Sequence, residues 1–237
     1  MARHGDTVEE DVRQPVRRLI AVLGDQLSLT SAAFDDLDPQ LDVVWMAEVP
    51  GEAEHVWSTK PHIAIFLSAM RHFRTRLSIE WDPPPRIDYT EMDDPENRGS
   101  LGAELRRGIR TWKPESVVLV RPGAWRVLAA VRDATEAEDT PLRVCQDDHF
   151  LCPAEEFAEF AKGRKRLIME HFYHDMRRRT GFLMEDGEPA GGAWNYDDQN
   201  RRSFGKEGPG KVPLPREFPP DEITREVLDL VERMFGD

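Results

Sequence analysis

Five short apolar runs alternate with longer segments of helical periodicity, and this alternation constrains the fold more than any other feature of the chain. The runs are rich in β-branched residues and predict strands at Leu19–Leu23, Asp42–Ala47, Arg86–Thr90, Ser116–Val120 and Pro141–Cys145. Each gap between them can hold a crossover helix, which favours parallel strands joined by right-handed βαβ units. We therefore predict an α/β fold with a doubly wound, Rossmann-like, five-stranded parallel sheet.

Helical periodicity is clearest between the second and third predicted strands. Apolar residues recur there at spacings of three and four over Lys60–Leu77, which predicts one long amphipathic helix. Shorter helices are predicted at Ser100–Trp112 and Ala124–Asp133. Ligands of doubly wound sheets bind beyond the carboxyl ends of the strands, where the strand order reverses, so a site is expected in the loops that follow the strands. These loops begin near Gly24, Glu48, Glu91, Arg121 and Gln146.

Composition divides the chain into five segments. Residues 1–18 are polar and are predicted to form a disordered tail, and residues 19–150 contain the α/β domain. Residues 151–181 are expected to form connecting helices, and the Gly- and Pro-rich residues 182–220 to form an extended interdomain linker. Residues 221–237 predict an amphipathic terminal helix whose packing partner the sequence does not show.

The formal net charge of −13 argues against a surface that binds nucleic acid or anionic membranes as a whole. Two cysteines are too few for a disulfide framework or for a four-cysteine iron–sulfur cluster. No apolar run reaches the length of a membrane helix or of a secretory signal. We therefore expect a cytoplasmic protein with no membrane partner.

The end of the first predicted strand holds the most informative polar residues. Gly24, Asp25 and Gln26 place a turn glycine, an acid and an amide where a neutral polar ring or a polyol could bind. The glycine patterns of dinucleotide-binding folds and of P-loops are both absent. Glu52 follows the second strand. The alternative interpretation is an ordinary Gly-Asp turn and a solvated loop acid.

Metal binding and hydrolytic catalysis have little support in the sequence. Cys145, His149 and Cys152 match no standard zinc spacing, and a fourth ligand is not evident. Arrangements typical of Ser-His-Asp or Cys-His nucleophiles are not recognisable. We therefore predict no metal ligand and no catalytic residue.

The second connecting helix is predicted over Arg164–Gly181 and is the strongly basic part of an acidic chain. We interpret it as a face that docks on an acidic surface of another domain or subunit, with direct nucleic-acid contact as the alternative. Its cations are Lys162, Arg164, Lys165, Arg166, Arg177, Arg178 and Arg179.

Several long motifs occur in one order along the chain. They are LGDQLS from Leu23, the acids Glu48 and Glu52, SAMRHF from Ser68, PGAWR, AKGRKRLIMEHFYHDMRRRTGFLM and GGAWNYDDQNR. Together they resemble the N-terminal half of the deoxyribodipyrimidine photolyase-related proteins, the iron–sulfur bacterial cryptochromes and photolyases. The resemblance runs from about Leu19 to the end of the chain.

The resemblance implies an antenna domain that binds 6,7-dimethyl-8-ribityllumazine and passes excitation energy to a flavin. Carried over by position, Gly24, Asp25, Gln26, Glu52 and Phe66 would line the chromophore pocket. In the family, FAD and a 4Fe-4S cluster lie in a C-terminal domain that also binds damaged DNA. We expect that domain to be absent here, so that DNA would be bound only by a complete protein and the terminal helix would lack its partner.

We consider three functions. The leading hypothesis is the antenna half of a protein for light-driven DNA repair or blue-light sensing, which is not catalytic alone. The departure of Arg121 and Ala124 from the family's acidic positions motivates a second, a stand-alone nucleotide- or flavin-binding module without photochemistry. The third is an interaction module that joins a separate flavin-binding domain.

Overall fold

A computed structural model describes residues 15–56, 58–197, 204–206 and 208–236. The chain forms two compact units, the first of residues 1–147 with 220–237 and the second of residues 148–219. In chain order the elements are β1 (Arg18–Ala21), β2 (Asp42–Ala47), α1 (Pro50–His55), α2 (Lys60–Glu80), β3 (Arg86–Thr90), α3 (Leu101–Trp112), β4 (Ser116–Val120), α4 (Trp125–Ala137), β5 (Leu142–Cys145), α5 (Ala154–Ala161), α6 (Met169–Thr180), β6 (Met184–Glu185), β7 (Glu188–Pro189) and α7 (Glu222–Met234).

The first unit is a doubly wound α/β domain. Its sheet has the strand order β3-β2-β1-β4-β5, with every pairing parallel, which confirms the predicted fold class. The strand order reverses between β1 and β4, because β2 and β3 lie on one side of β1 and the later strands on the other. A crevice is therefore expected at the carboxyl ends of these two strands.

Both faces of the sheet are covered. Ile20 and Val44 point into a core formed with α2, whereas their neighbours Leu19 and Val43 point into a second core formed with α3 and α4. Successive strand residues point to opposite faces, so a strand buried on both sides is apolar at every position rather than at alternate ones. This explains why β1 and β2 appear in the sequence as continuous apolar runs.

Helix α7 completes the first of these cores. Val227, Leu230 and Val231 are buried in the same apolar cluster as the inner face of α2. Polar contacts flank the packed face, including an ion pair between Lys60 and Glu232. The expectation that this helix had lost its partner was wrong, because α2 presents apolar side chains to the sheet and also to α7.

Residues 15–18 of the predicted tail belong to the described part of the chain, and β1 begins at Arg18. Val16 is buried, and Arg17 and Arg18 both donate to the carboxylate of Asp42 at 2.7 Å. Burial opposes ionisation of Asp42, but the hydrogen bonds from the two arginines outweigh it and lower the pKa of Asp42 to about 2. Of the predicted tail, residues 1–14 lie outside the described residues.

The second unit contains α5, α6 and the short antiparallel pair β6–β7. Phe172 packs α6 against Phe157 and Phe160 of α5, with ring centroids 5.1 Å apart in both pairs. Helix α6 begins at Met169, not at the predicted Arg164. Gly163 adopts a left-handed φ of 72° directly after α5, which marks the end of that helix.

The predicted linker, residues 182–220, holds β6, β7 and a 3-10 turn at Ala190–Gly192. Its residues 198–203 and 207 lie outside the described part of the chain. None of the helices described here combines the length and the apolar character that crossing a lipid bilayer requires.

The packing of α7 can be tested with two leucines of the same helix. Leu230 is 2% exposed and Leu228 is 43% exposed. Leu230→Ala is expected to lower the free energy of unfolding by about 2–5 kcal/mol, because it leaves a cavity in the core. Leu228→Ala should cost less than about 1 kcal/mol. Urea unfolding followed by tryptophan fluorescence measures both, and equal losses would contradict the packing described here.

A pH-dependent contact joins α2 to the start of α7. The imidazole Nε2 of His72 lies 2.6 Å from Oδ2 of Asp221, and this hydrogen bond raises the pKa of His72 and lowers the pKa of Asp221. The contact therefore stabilises the fold between the unfolded pKa values of 3.8 and 6.5, and its contribution is lost as pH rises through the elevated pKa of His72.

Asp221→Asn retains an N-cap for α7 and removes the charge. The wild type should exceed this variant in free energy of unfolding by more at about pH 5.5 than at about pH 9. Unfolding in urea at the two pH values provides the comparison. A difference that stays constant or grows toward alkaline pH would show that the pair does not contribute in this way.

Candidate functional site

A cavity lies at the carboxyl ends of β1, β2 and β4, between α2 and the start of α4. Its volume is about 240 Å³, just below the ~300 Å³ at which small-molecule sites commonly begin. Most of its wall is apolar, and its mouth reaches the surface beside the exposed Asp25. The apolar wall includes Val22, Val49, Ile63, Leu67, Met70, Met92, Leu101 and Val127.

Gly24 allows the β1 turn to lie directly against α2. A Cβ at this position would stand 2.4 Å from Cε1 of Phe66 and 2.8 Å from Sδ of Met70. These distances are too short for a Cβ, so any other residue at position 24 would require the Phe66 and Met70 side chains to move away. The aromatic ring of Phe66 is thereby held as a wall of the cavity, with 38% of the residue still exposed.

The structure brings four of the predicted site residues to this cavity, namely Gly24, Asp25, Glu52 and Phe66. Gln26 does not line it. The side-chain amide of Gln26 donates to the carbonyl oxygen of Arg121 at 3.1 Å and so ties the end of β1 to the end of β4. Its position therefore predicts a role in holding the two loops together at the switch point.

Glu52 is paired across the mouth of the cavity. Its two carboxylate oxygens accept hydrogen bonds of 2.6 Å from the two terminal nitrogens of Arg126. This contact joins α1 to α4, and the hydrogen bond with Glu52 raises the pKa of Arg126. Sequence reasoning did not identify Arg126, although PGAWR was recognised as a motif at that position.

Glu48 lies at the floor of the cavity and is 1% exposed. Arg71 donates to both of its oxygens at 2.8 and 2.9 Å, the Tyr89 hydroxyl donates at 2.6 Å, and the backbone N–H of Met92 donates at 2.8 Å. The hydrogen bond with Glu48 raises the pKa of Arg71, and burial raises the pKa of Tyr89.

This network has a chemical consequence. Each oxygen of Glu48 already accepts two hydrogen bonds. A carboxylate in this state has little hydrogen-bonding capacity left for a ligand. Glu48 is therefore structural. The other polar side chains that line the cavity are Asp25, Ser58, His62 and the pair of Glu52 and Arg126.

The predicted basic surface is partly used within the second unit. Arg177 is buried, and its guanidinium lies 5.1 Å from the ring centre of Trp194, with that of Arg178 at 4.7 Å. Arg179 forms ion pairs with Glu156 and Asp175. Of the seven cations of this stretch, Arg177 is buried and the other six are exposed. Docking of this surface on another domain stays a prediction.

The described part of the chain contains no cluster of metal-binding side chains. Residues 15–56, 58–197, 204–206 and 208–236 contain no group of three or more His, Cys, Asp or Glu side chains arranged to hold a metal ion. Cys145 and Cys152 are both free thiols.

Comparison with known proteins agrees with the motifs and the fold. Residues 20–237 match the family described as deoxyribodipyrimidine photo-lyase-related protein. The chain belongs to this family. It is also 41% identical over 224 residues to a (6-4) photolyase of Agrobacterium fabrum (strain C58 / ATCC 33970), an alignment that covers 93% of this chain. The chain spans about 42% of the length of that relative.

The Glu48 network can be tested by removing its cation. Arg71→Met leaves a buried carboxylate without its counter-charge, which is expected to lower the free energy of unfolding by about 3–5 kcal/mol. The exposed pair of Arg76 and Glu80 on the same helix provides a matched control, because Arg76→Met should cost less than about 1 kcal/mol.

Removing both charges distinguishes the contribution of the ion pair to stability from the contribution of side-chain packing. The double variant Glu48→Gln with Arg71→Met should be more stable than Arg71→Met alone, since no unpaired charge stays buried. The cycle consists of the wild type, the two single variants Glu48→Gln and Arg71→Met, and the double variant, each unfolded in urea. Strictly additive losses would contradict a coupled pair.

Proposed function

We propose that the first unit is a light-harvesting domain that binds 6,7-dimethyl-8-ribityllumazine. The observation that supports this most directly is the cavity at the strand-order reversal, which Asp25, Glu52 and Phe66 all line. Family membership adds support, because these residues stand at the positions that the resemblance assigns to the chromophore.

The lining suits a flat heteroaromatic ring with a polyhydroxyl chain. Phe66 and Met70 supply an apolar wall against which a ring can pack, in a cavity whose width is limited by the contact of Gly24 with α2. Asp25 can accept from ring N–H or chain hydroxyl groups. The guanidinium of Arg126 can donate to ring carbonyl or hydroxyl oxygens at the mouth.

The proposed cellular role is light-driven DNA repair or blue-light sensing by a protein of which this chain is the antenna part. A flavin-binding domain with FAD and a 4Fe-4S cluster would be the partner that receives the excitation energy. The chemistry supplied by reduced, photoexcited FAD would be electron transfer to a pyrimidine lesion. The (6-4) photolyase relative favours a (6-4) photoproduct as that lesion.

Fluorescence and absorption titration of the purified chain with 6,7-dimethyl-8-ribityllumazine tests the proposal. We expect saturable binding of one chromophore per chain. Asp25→Ala should weaken the affinity by about tenfold or more, because a polar contact to the ligand is lost. Asp229→Ala removes an exposed carboxylate of α7 outside the cavity and should leave the affinity unchanged.

Competition distinguishes the remaining functions. Weak or absent binding of the lumazine together with tight binding of FMN or ATP would favour a nucleotide- or flavin-binding module without photochemistry. Lack of binding by any of these ligands would overturn the small-molecule proposal. An interaction module that joins a flavin-binding domain would then be the better hypothesis.

A further inference from the structure

The cavity presents an unusual balance of charge to a ligand. Among the described residues that line it, the acids are Asp25, Glu48 and Glu52, and the bases are Arg126 and His62. The charge of Glu48 is offset by Arg71 behind the wall. The charges of Glu52 and Arg126 offset each other at the mouth. Asp25 carries the remaining negative charge.

The charge of the Arg126 guanidinium is already offset by a carboxylate. Both of its terminal nitrogens donate to Glu52, and the side chains of the two residues are 41% and 35% exposed. Bidentate pairing of this kind directs the charge of the arginine toward its own carboxylate. A phosphate that accepted from the remaining N–H groups of Arg126 would lie beside the carboxylate of Glu52 and would be repelled by it.

The pair also forms part of the cavity wall. Glu52, Leu101 and Arg126 line this cavity and also a shallower cleft beside the start of α3. The ion pair therefore stands between the two, where the hydrophilic end of a ring ligand would emerge. A hydroxyl chain can donate to Glu52 and accept from Arg126 without separating them.

We propose that the Glu52–Arg126 pair, together with Asp25, makes the site selective for ring ligands with an uncharged hydroxyl chain over the same ligands carrying a terminal phosphate. This inference rests on the proposed function, because it assigns specificity to the proposed chromophore site. Glu52 is then the specificity-determining residue, and Arg126 moderates its effect because the guanidinium offsets part of the charge of that carboxylate.

The test compares two ligands that differ by one group, 6,7-dimethyl-8-ribityllumazine and its 5′-phosphate. The quantity measured is the dissociation constant of the phosphate divided by that of the lumazine. This ratio cancels any effect of a variant on binding of the ring itself. For the wild type at low ionic strength we expect the phosphate to weaken binding by about tenfold. Added salt should reduce this ratio, since the repulsion is electrostatic and partly exposed.

Two variants should move the ratio in opposite directions. Glu52→Gln frees the guanidinium for the phosphate and removes a negative charge, so the ratio should fall by about fivefold or more. Arg126→Gln leaves Glu52 uncompensated, so the ratio should rise. Glu136→Gln makes the same charge change as Glu52→Gln on an exposed position of α4 outside the cavity and should leave the ratio unchanged.

The outcomes separate this inference from the function on which it rests. A wild type that binds the lumazine and its phosphate equally, or variants that do not alter the ratio, would overturn the specificity role and leave the chromophore site intact. A wild type that binds neither ligand would overturn the chromophore proposal itself, and the specificity role with it.

Discussion

The buried hydrogen-bonded pair of Glu48 and Arg71 organises the carboxyl edge of the sheet. It joins the end of β2 to the middle of α2, and the Tyr89 hydroxyl and the Met92 N–H bring in β3 and the loop after it. A buried carboxylate is tolerated only when its hydrogen-bonding capacity is satisfied, so these elements must meet in one arrangement. The floor of the cavity follows from that requirement.

The two cores depend on the same sheet but on different parts of the chain. Helices α3 and α4 cover one face with residues that lie between β3 and β5 in sequence. The other face is covered by α2 together with α7, which follows the whole second unit in sequence. Segments far apart in the chain are therefore needed to bury one apolar face of the first unit.

Some residues of the candidate site could be predicted from the sequence, whereas the roles of others could not. Gly24 and Asp25 follow directly from the end of an apolar strand, and the resemblance to a family placed Glu52 and Phe66 beside them. The role of Glu48 as a saturated structural acid was not predicted, because the donors that satisfy it come from α2, from β3 and from a loop. Gln26 was placed among the ligand contacts, whereas the structure turns it toward the carbonyl oxygen of Arg121.

The sequence by itself determined the positions of the strands, the parallel sheet and the loops that carry the site. These properties follow from local periodicity and from segment lengths, which are set by neighbouring residues. Only the tertiary structure decided that Arg126 pairs with Glu52, 74 positions away, and that α7 packs on α2. Local periodicity encodes which face of a helix is apolar, but the partner of that face depends on how the chain folds back in three dimensions.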